Sequence, residues 1–524
     1  MTVGYTLSDG YLFDNWSGDF TTATFNMPAN NATMTANAKI IPYSITYNGV
    51  ENCTFESANP TSFDVTSATI NLKNPNKNGY EFTGWTGSNG NTPQTAVSIN
   101  TGSTENREYT AHWSINSYNI TLNLNEGTIE SANPIQYNVT SNDFDLPTPN
   151  KDYYTFLGWT GEGTATPQKP LTISNGTTGD KNYTANYRPS TYTISLDAKG
   201  GIVEYTTKEY NIETAEFTLP QPTRTNYAFV GWVTGGGDPV KTVTIVTGSH
   251  GDKSYVASWT LADVIAFKLS DSVVLELRKC PAGTFTMGSP ESEVGHFPEE
   301  KQQHSVTISN DYWMGTYEVT QAQYKAIMGS NPSYNTTEDE DVLPVEQVSW
   351  NDIMTDSIGF IAKLNAYLTE TNQLPANYKF DLPTEAQWEY ACRAGTETSL
   401  NNGTNIVNTS SEDTNLNAVA WYKQNWGSSN NKTHTVGALA SNTYGLYDMH
   451  GNVFEWCKDM YADYPTTAVT DPFCDSGSFR VIRGGSWYNN PNRCRSAFRA
   501  SSDPSITYSD LGFRLALVPS PVQP

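Results

Sequence analysis

The sequence predicts a chain in two parts, an array of small β-rich modules followed by one α+β domain. Two observations support this prediction. A Gly-Trp pair recurs about every 70 residues up to residue 260, and helix signals begin only after Leu261. Such a period is typical of repeat proteins, in which each repeat is one supersecondary unit. At 524 residues the chain is also too long for a single hydrophobic core.

Three complete repeats and one partial repeat are predicted. They share a Gly-Trp pair and a closing Tyr-x-Ala-x-aromatic strand, found at Trp85 and Tyr109, Trp159 and Tyr183, and Trp232 and Tyr255. Alternating apolar and polar residues predict opening strands at Tyr118–Leu124 and Tyr192–Leu196. The predicted boundaries are 1–42 for the partial repeat, 43–115, 116–189 and 190–260 for the complete repeats, and 261–524 for the C-terminal domain.

The partial repeat contains Trp16 but lacks its first half. We therefore expect Met1 to begin a fragment, with an export signal and further repeats upstream. The tryptophan of each Gly-Trp pair either fills the core of its repeat or forms a sugar-stacking face. A small module needs one large aromatic side chain in its core, which favours the first interpretation.

Composition excludes several classes of partner. The chain has 30 basic and 54 acidic residues, and its net charge of −24 repels nucleic acid and anionic membrane surfaces. No apolar stretch approaches the roughly 20 residues that span a bilayer. The six cysteines show no CxxC or Cys/His spacing, so a zinc site is not expected.

Three helices are predicted in the C-terminal domain. The first covers Thr320–Met328 and ends at Gly329, and the second covers Trp350–Leu368, where apolar residues recur near the helical period. The third lies within Pro383–Gly395. Thr320 and Thr384 are each followed three residues later by glutamine, the spacing of a capping box.

The segment 479–516 shows neither helical nor strand periodicity. It is bracketed by two motifs, Arg483-Gly-Gly-Ser-Trp487 and Leu511-Gly-Phe-Arg514. We predict an irregular surface that is held at both ends, with the two motifs buried.

The repeats resemble the internalin-type B repeats of bacterial surface proteins, which implies an extracellular, cell-surface spacer. The C-terminal domain resembles the formylglycine-generating-enzyme family, also called sulfatase-modifying factors, which implies a C-type-lectin-like fold. Seven ordered blocks carry this second resemblance: Pro281–Ser289, Tyr317–Gln321, Pro344–Trp350, Leu382–Tyr390, Tyr444–Trp456, Arg483–Trp487 and Gly512–Arg514. Fold alone does not fix the chemistry of such a domain.

The resemblance implies that the oxidases of this family bind copper(I) through two cysteine thiolates shortly after the Gly-Gly-Ser block. Here Asn489 stands three residues after Ser486, where the first cysteine would fall, and Cys494 is the only thiol in the segment. A single thiolate leaves such a site incomplete. We therefore predict no catalytic residues. Cys494 is instead expected to be a small buried side chain or a disulfide partner of Cys392, Cys457 or Cys474.

The resemblance also implies a structural calcium ion, the one cofactor that we predict. Its ligands would be Asp448, Gly451, Val453 and Glu455, two through side chains and two through backbone carbonyls. Carboxylate and carbonyl oxygens suit this ion. Solvated acidic side chains in an ordinary loop are the alternative.

Some proteins with this fold are the variable proteins of diversity-generating retroelements, in which adenines of the last codons are rewritten. Such substitution of AAY codons never yields Lys, Glu, Gln, Met or Trp, and none of these occurs between Tyr488 and Asp510. We therefore predict an exposed ligand-binding surface with Tyr488, Phe498 and Tyr508 as its main contacts. Its predicted residues are Tyr488, Asn489, Asn490, Asn492, Arg493, Ser496, Phe498, Ala500, Ser501, Ser502, Ser505, Thr507, Tyr508, Ser509 and Asp510.

Together these features favour a bacterial surface protein in which a repeat stalk displays a non-catalytic lectin-fold domain. Its partner would be a protein or glycan on another cell or surface. One alternative is a copper-dependent oxidase of the formylglycine-generating type. Another is an adhesin that binds through its repeats.

Overall fold

The computed structural model describes residues 1–26, 28–300, 302–336, 342–426 and 432–520. The chain forms two compact units. They are Met1–Ile194, Thr207–Phe217 and Ile245–Lys253 for the first, and Ser195–Thr206, Thr218–Thr244 and Ser254–Pro524 for the second. Strands dominate, and the four α-helices of the described residues all lie in the second unit. None of these helices has the length and apolarity that a bilayer crossing requires.

The first unit repeats one sheet topology. The first complete repeat orders its five strands as Ser62–Phe63, Tyr43–Asn48, Arg107–Ile115, Tyr80–Gly87 and Gly90–Gln94. The second orders them as Ile135–Asn138, Ser117–Asn123, Lys181–Pro189, Tyr154–Gly161 and Thr164–Gln168. Two-stranded sheets pair Tyr11–Gly18 with Met34–Ile40, Ile70–Asn71 with Ser98–Ile99, and Phe144–Asp145 with Thr172–Ile173. In both five-stranded sheets the opening and closing strands run parallel.

The Gly-Trp pairs form the cores of the repeats. Trp85 is fully buried opposite Ala111, and Trp159 is buried in the same register opposite Ala185. The sugar-stacking interpretation is therefore wrong, because neither ring reaches the surface. The glycine of the pair is required by space: Gly84 has a φ of 137°, and a Cβ there would lie 2.5 Å from the backbone nitrogen of Gln94.

The third repeat contributes six strands, Tyr192–Asp197, Thr207–Tyr210, Phe217–Thr218, Tyr227–Val233, Thr244–Ile245 and Lys253–Leu261. Trp232 is buried opposite Ala257, the register seen in the other repeats.

The described residues of the C-terminal domain form four sheets of short strands. A five-stranded sheet orders Val264–Lys268, Val274–Cys280, Tyr312–Gly315, Ala516–Pro519 and Tyr378–Asp381. A four-stranded sheet orders Arg499–Ser502, Arg480–Arg483, Phe454–Met460 and Leu511–Gly512. A three-stranded sheet joins Gly283–Met287, His304–Ile308 and Val469–Thr470, and a two-stranded one joins Ala420–Trp421 and His450–Gly451. Short 3-10 turns occupy Pro298–Glu300, Leu416–Ala418 and Pro491–Arg493.

The helices are α1 (Gln321–Met328), α2 (Trp350–Met354), α3 (Phe360–Glu370) and α4 (Glu385–Arg393). Capping boxes at Thr320 and Thr384 start α1 and α4, which confirms both predictions. These helices make the domain mixed, although the chain as a whole is mostly β.

The single helix predicted for 350–368 is wrong. The chain leaves helical geometry between α2 and α3, where Ser357 adopts a φ of 63°, and it restarts after Gly359. Ile358, expected on the apolar face, is 64% exposed at this break.

The two motifs that bracket the C-terminal segment are buried, as predicted. Ser486 and Trp487 of the first motif and Phe513 of the second are almost inaccessible to solvent. The segment between them is less irregular than expected, because it contains the strand Arg499–Ser502 and the turn Pro491–Arg493.

Four buried arginines fix the C-terminal segment to the rest of the domain. Each guanidinium group pairs with a buried glutamate. The pairs are Arg483 with Glu389 at 2.5 Å, Arg495 with Glu300 at 2.7 Å, Arg499 with Glu385 at 2.7 Å, and Arg514 with Glu455 at 2.6 Å. Two of these glutamates lie one turn apart on α4, so this helix holds two neighbouring strands of the four-stranded sheet.

The electrostatics of α4 are consistent with ionised pairs. Burial opposes ionisation of Glu389, yet the guanidinium groups of Arg393 and Arg483 hold its pKa below the usual value. Charge-assisted hydrogen bonds of this kind are among the strongest that side chains make.

Replacing Trp159 by alanine should destabilise the second repeat by about 3 to 5 kcal/mol, because it removes the largest side chain of a small core. Denaturant unfolding monitored by proteolysis within 116–189 measures this loss. Leu157→Ala is the control, since Leu157 is 41% exposed and should change stability by only about 0.5 kcal/mol. Equal effects of the two substitutions would contradict the core assignment.

Arg514→Met should lower the free energy of unfolding of the C-terminal domain by about 3 to 5 kcal/mol, because it leaves Glu455 buried without its cation. The double variant Arg514→Met/Glu455→Leu should recover part of this loss, because it removes the unpaired carboxylate of Glu455. The recovery is partial because Arg514 also stabilises the buried carboxylates of Glu318 and Asp448. Urea midpoints of both variants test this. A double variant less stable than the single one would show that the charges themselves are not what matters.

Candidate functional site

Twelve of the fifteen predicted ligand-binding residues are exposed or half-buried. They are Tyr488, Asn489, Asn490, Asn492, Arg493, Ala500, Ser501, Ser505, Thr507, Tyr508, Ser509 and Asp510. Tyr488 and Tyr508 are 56% and 51% exposed, which makes them the most prominent aromatic side chains of the segment.

The other three predicted residues are wrong as surface contacts. Phe498 is 5% exposed, and its ring packs 5.2 Å from that of Phe297. Ser496 is fully buried, and its hydroxyl donates to the carbonyl oxygen of Ser399. Ser502 is buried at the end of its strand, where it pairs with Arg480. Ser496 and Phe498 each lie next to a buried arginine in the sequence, Arg495 and Arg499, whereas Ser502 is buried at the end of a paired strand.

Three aromatic rings meet at the start of the exposed segment. Trp426 stacks on Trp487 with ring centroids 5.0 Å apart, and Tyr488 lies 5.5 Å from Trp487 and 6.1 Å from Trp426. Trp487 is buried, Trp426 is half-buried and Tyr488 projects outward. The three rings thus extend from the core to the solvent.

Hydrogen bonds join the two exposed parts of the segment. Trp487 Nε1 donates to the carbonyl oxygen of Ser509 over 3.3 Å. The hydroxyl of Ser486 lies 2.7 Å from Asp510 Oδ2 and 3.0 Å from Asn489 Oδ1. Because Ser486 is fully buried, it holds both side chains from beneath. We call the surface formed by Trp426, Tyr488–Asn490 and Tyr508–Asp510 the binding face.

A distant part of the chain also supports this face. The backbone nitrogen of Lys423 donates to the carbonyl oxygen of Asn489 over 2.9 Å, and Gln424 Nε2 donates to Asn490 Oδ1 over 3.0 Å. Sequence reasoning missed this contribution and that of Trp426. Two tryptophans five residues apart, Trp421 and Trp426, in an otherwise polar stretch were the available signal.

The position of the family's copper thiolates has no paired thiols. Cys494 is fully buried among apolar side chains that include Leu400, Leu416 and Tyr422. Burial raises the pKa of its thiol to about 12, so the thiol stays protonated. All six cysteines are free, which makes the disulfide alternative wrong and the small buried side chain correct. Within the described ranges, no three His, Cys, Asp or Glu side chains gather where they could hold a metal ion.

Glu455, predicted as a calcium ligand, is occupied by other partners. Its Oε2 accepts hydrogen bonds from Arg514 Nε over 2.6 Å and from Trp388 Nε1 over 2.7 Å, and its Oε1 accepts from Arg514 over 2.6 Å. A carboxylate that is neutralised in this way does not fit a calcium site. Asp448 accepts a hydrogen bond from the backbone of Gly437, and burial raises its pKa to about 6. Calcium near Asp448 therefore stays a prediction, without Glu455 as a ligand.

Comparison with protein families agrees with both parts of the chain. Residues 271–518 match the sulfatase-modifying factor enzyme 1-like domain. The Listeria-Bacteroides repeat domain matches residues 118–185 and 192–250, and the divergent InlB B-repeat domain matches residues 3–41 and 43–117.

Individual relatives resemble the C-terminal half. The chaperone protein LppX of Paenibacillus barcinonensis is 30% identical over 262 residues, which cover 43% of this chain and 86% of that protein. The formylglycine-generating enzyme of Mus musculus is 27% identical over 45% of this chain and 73% of its own length. Among solved structures, Treponema denticola variable protein 1 is 31% identical, with 49% of this chain and all of that chain covered and a TM-score of 0.42. The chain therefore belongs to the family of proteins with a sulfatase-modifying factor enzyme 1-like domain, here preceded by internalin-type repeats.

Proposed function

We propose that this protein is a non-catalytic ligand-binding protein of the bacterial surface. Its repeats act as a spacer, and the binding face of the C-terminal domain contacts a protein or glycan on another cell or surface. The observation that carries the proposal is that exposed Tyr488 and Tyr508 stand on backbone that buried hydrogen bonds and ion pairs hold in place. A preorganised surface loses little conformational entropy when it binds.

The chemistry of the face suits recognition of another macromolecule. Tyrosine rings supply large contact areas at low entropic cost, and asparagine and serine supply adaptable hydrogen bonds. The face and its edge carry both signs of charge, at Asp510 and Arg493. Aromatic side chains at exposed positions are the usual energetic centres of such surfaces.

The same face suits diversification by a retroelement. Its residues between Tyr488 and Asp510 belong to the set that adenine substitution of AAY codons can produce. Variation at Tyr488 and Tyr508 would leave the fold intact, because the ion pairs that fix the segment come from its buried arginines. The resemblance to retroelement variable proteins supports this reading of the segment.

Two matched libraries in the full chain test the proposal. The first randomises seven exposed or half-buried residues, and the second randomises seven buried ones. They are Tyr488, Asn489, Asn490, Asn492, Arg493, Thr507 and Tyr508 for the first, and Arg483, Arg495, Ser496, Phe498, Arg499, Ser502 and Arg514 for the second. We expect most members of the first library to resist protease on the yeast surface, because exposed substitutions cost roughly 0.5 kcal/mol or less.

Members of the second library should be degraded, because they leave buried charges unpaired. Selection against a test protein such as hen lysozyme should then yield binders from the first library alone. Equal protease sensitivity in the two libraries would contradict the proposal, since the exposed residues would then be structural.

A peptide-oxidation assay distinguishes this proposal from the oxidase alternative. Incubation with copper(I), oxygen and a sulfatase-motif peptide should leave the peptide cysteine unmodified by mass spectrometry, because only one thiol is present and it is buried. Asn489→Cys should not restore turnover, since the thiol of Cys494 stays packed and protonated. The mouse formylglycine-generating enzyme serves as the positive control. Conversion of the peptide by this chain would establish the oxidase instead.

A further inference from the structure

The C-terminal domain contains a cavity of about 390 Å³ apart from the binding face. The three-stranded sheet, the start of α4 and the segment 459–474 line it. It shares no residue with the binding face. Much of its wall is apolar, formed by Met287, Ala386, Met460, Pro465, Val469 and Phe473.

The polar part of the cavity carries an excess of acidic groups. Glu385, Asp459 and Asp463 line it together with Arg499 and the imidazole of His304. Arg499 forms a bidentate ion pair with Glu385, in which its Nε and one terminal nitrogen lie 2.8 Å and 2.7 Å from the two carboxylate oxygens. The hydroxyl of Tyr464 donates to the same carboxylate over 3.0 Å.

Asp459 has no comparable partner. It is 5% exposed, and its two oxygens accept hydrogen bonds from the backbone nitrogens of Cys474 at 3.0 Å and Glu385 at 2.9 Å. Among the residues that the structure describes, no lysine or arginine forms an ion pair with it, and the neighbouring Lys458 pairs with Asp381 instead. A buried carboxylate without a cation is costly, and a ligand can supply the missing charge.

We propose that this cavity binds a small organic cation, whose ammonium group donates a hydrogen bond to Asp459 and whose apolar part packs against Phe473 and Met460. The volume lies within the range of about 300 to 1,000 Å³ that is usual for small-molecule sites, which favours a single ring or a short chain. Burial raises the pKa of Asp459 to about 7, although its two backbone hydrogen bonds and the ammonium of Lys458 act in the opposite direction. A bound ammonium group forms a charge-assisted hydrogen bond that neutral and anionic analogues cannot form.

Three probes of nearly equal shape test the proposal on the full chain by isothermal titration calorimetry at pH 8. They are 2-phenylethylamine, 2-phenylethanol and phenylacetate. We expect the amine to bind about tenfold more tightly than the alcohol, and phenylacetate not to bind. Wild-type protein that binds the amine no more tightly than the alcohol would overturn the proposal.

Two variants assign the binding to this cavity. Asp459→Asn should reduce the affinity for the amine about tenfold and leave that for the alcohol unchanged, whereas the exposed control Asp503→Asn should change neither. Asp459→Asn also removes an acceptor for one backbone nitrogen, so its melting temperature is measured alongside. Phe473→Ala keeps Asp459 in place, alters a side chain that is 48% exposed, and should weaken the amine and the alcohol by the same factor.

Unchanged binding of the amine to Phe473→Ala would overturn the proposal even if Asp459→Asn fails to fold. Tyr488→Ala should leave the amine affinity unchanged, because Tyr488 lies in the binding face and not in this cavity. The cavity proposal and the binding-face proposal can therefore fail independently.

Discussion

The buried pairing of arginine with glutamate is the constraint on which the C-terminal domain depends. A guanidinium group inside a protein is tolerated only where a carboxylate and further acceptors compensate it. Arg483 illustrates this, because it pairs with Glu389 and also donates to the carbonyl oxygens of Ser496 and Ala497. The arginine thus fixes both its own strand and the chain that returns beside it.

The exposed residues occupy the intervals between these fixed points. Tyr488–Arg493 lies between Arg483 and Arg495, and Ser505–Asp510 lies between Arg499 and Arg514. Each interval is short, and a buried arginine–glutamate pair fixes each of its ends. The same ion pairs that stabilise the domain therefore leave two stretches of surface between fixed points, in which Tyr488 and Tyr508 project outward. Chemical variety on such a surface has little effect on folding.

Local signals predicted much of the fold, and long-range contacts explain what they missed. The capping boxes at Thr320 and Thr384 act within a single turn, and the Gly-Trp period reflects a register that each repeat builds for itself. Burial of Phe498 instead depends on Phe297, some 200 residues away, and the role of Glu455 depends on Arg514. An irregular segment has no periodicity from which its inner and outer sides can be read.

The DNA beside the gene tests the central claim most directly, because the retroelement mechanism leaves a template copy of the codons that it rewrites. Sequencing of the flanking region should reveal a near-copy of the last codons that differs from the gene at adenines only. The mismatches should fall in codons for exposed residues such as Tyr488 and Tyr508, and the codons of Arg483 and Arg514 should be identical. The absence of such a copy, or mismatches in the arginine codons, would contradict the account.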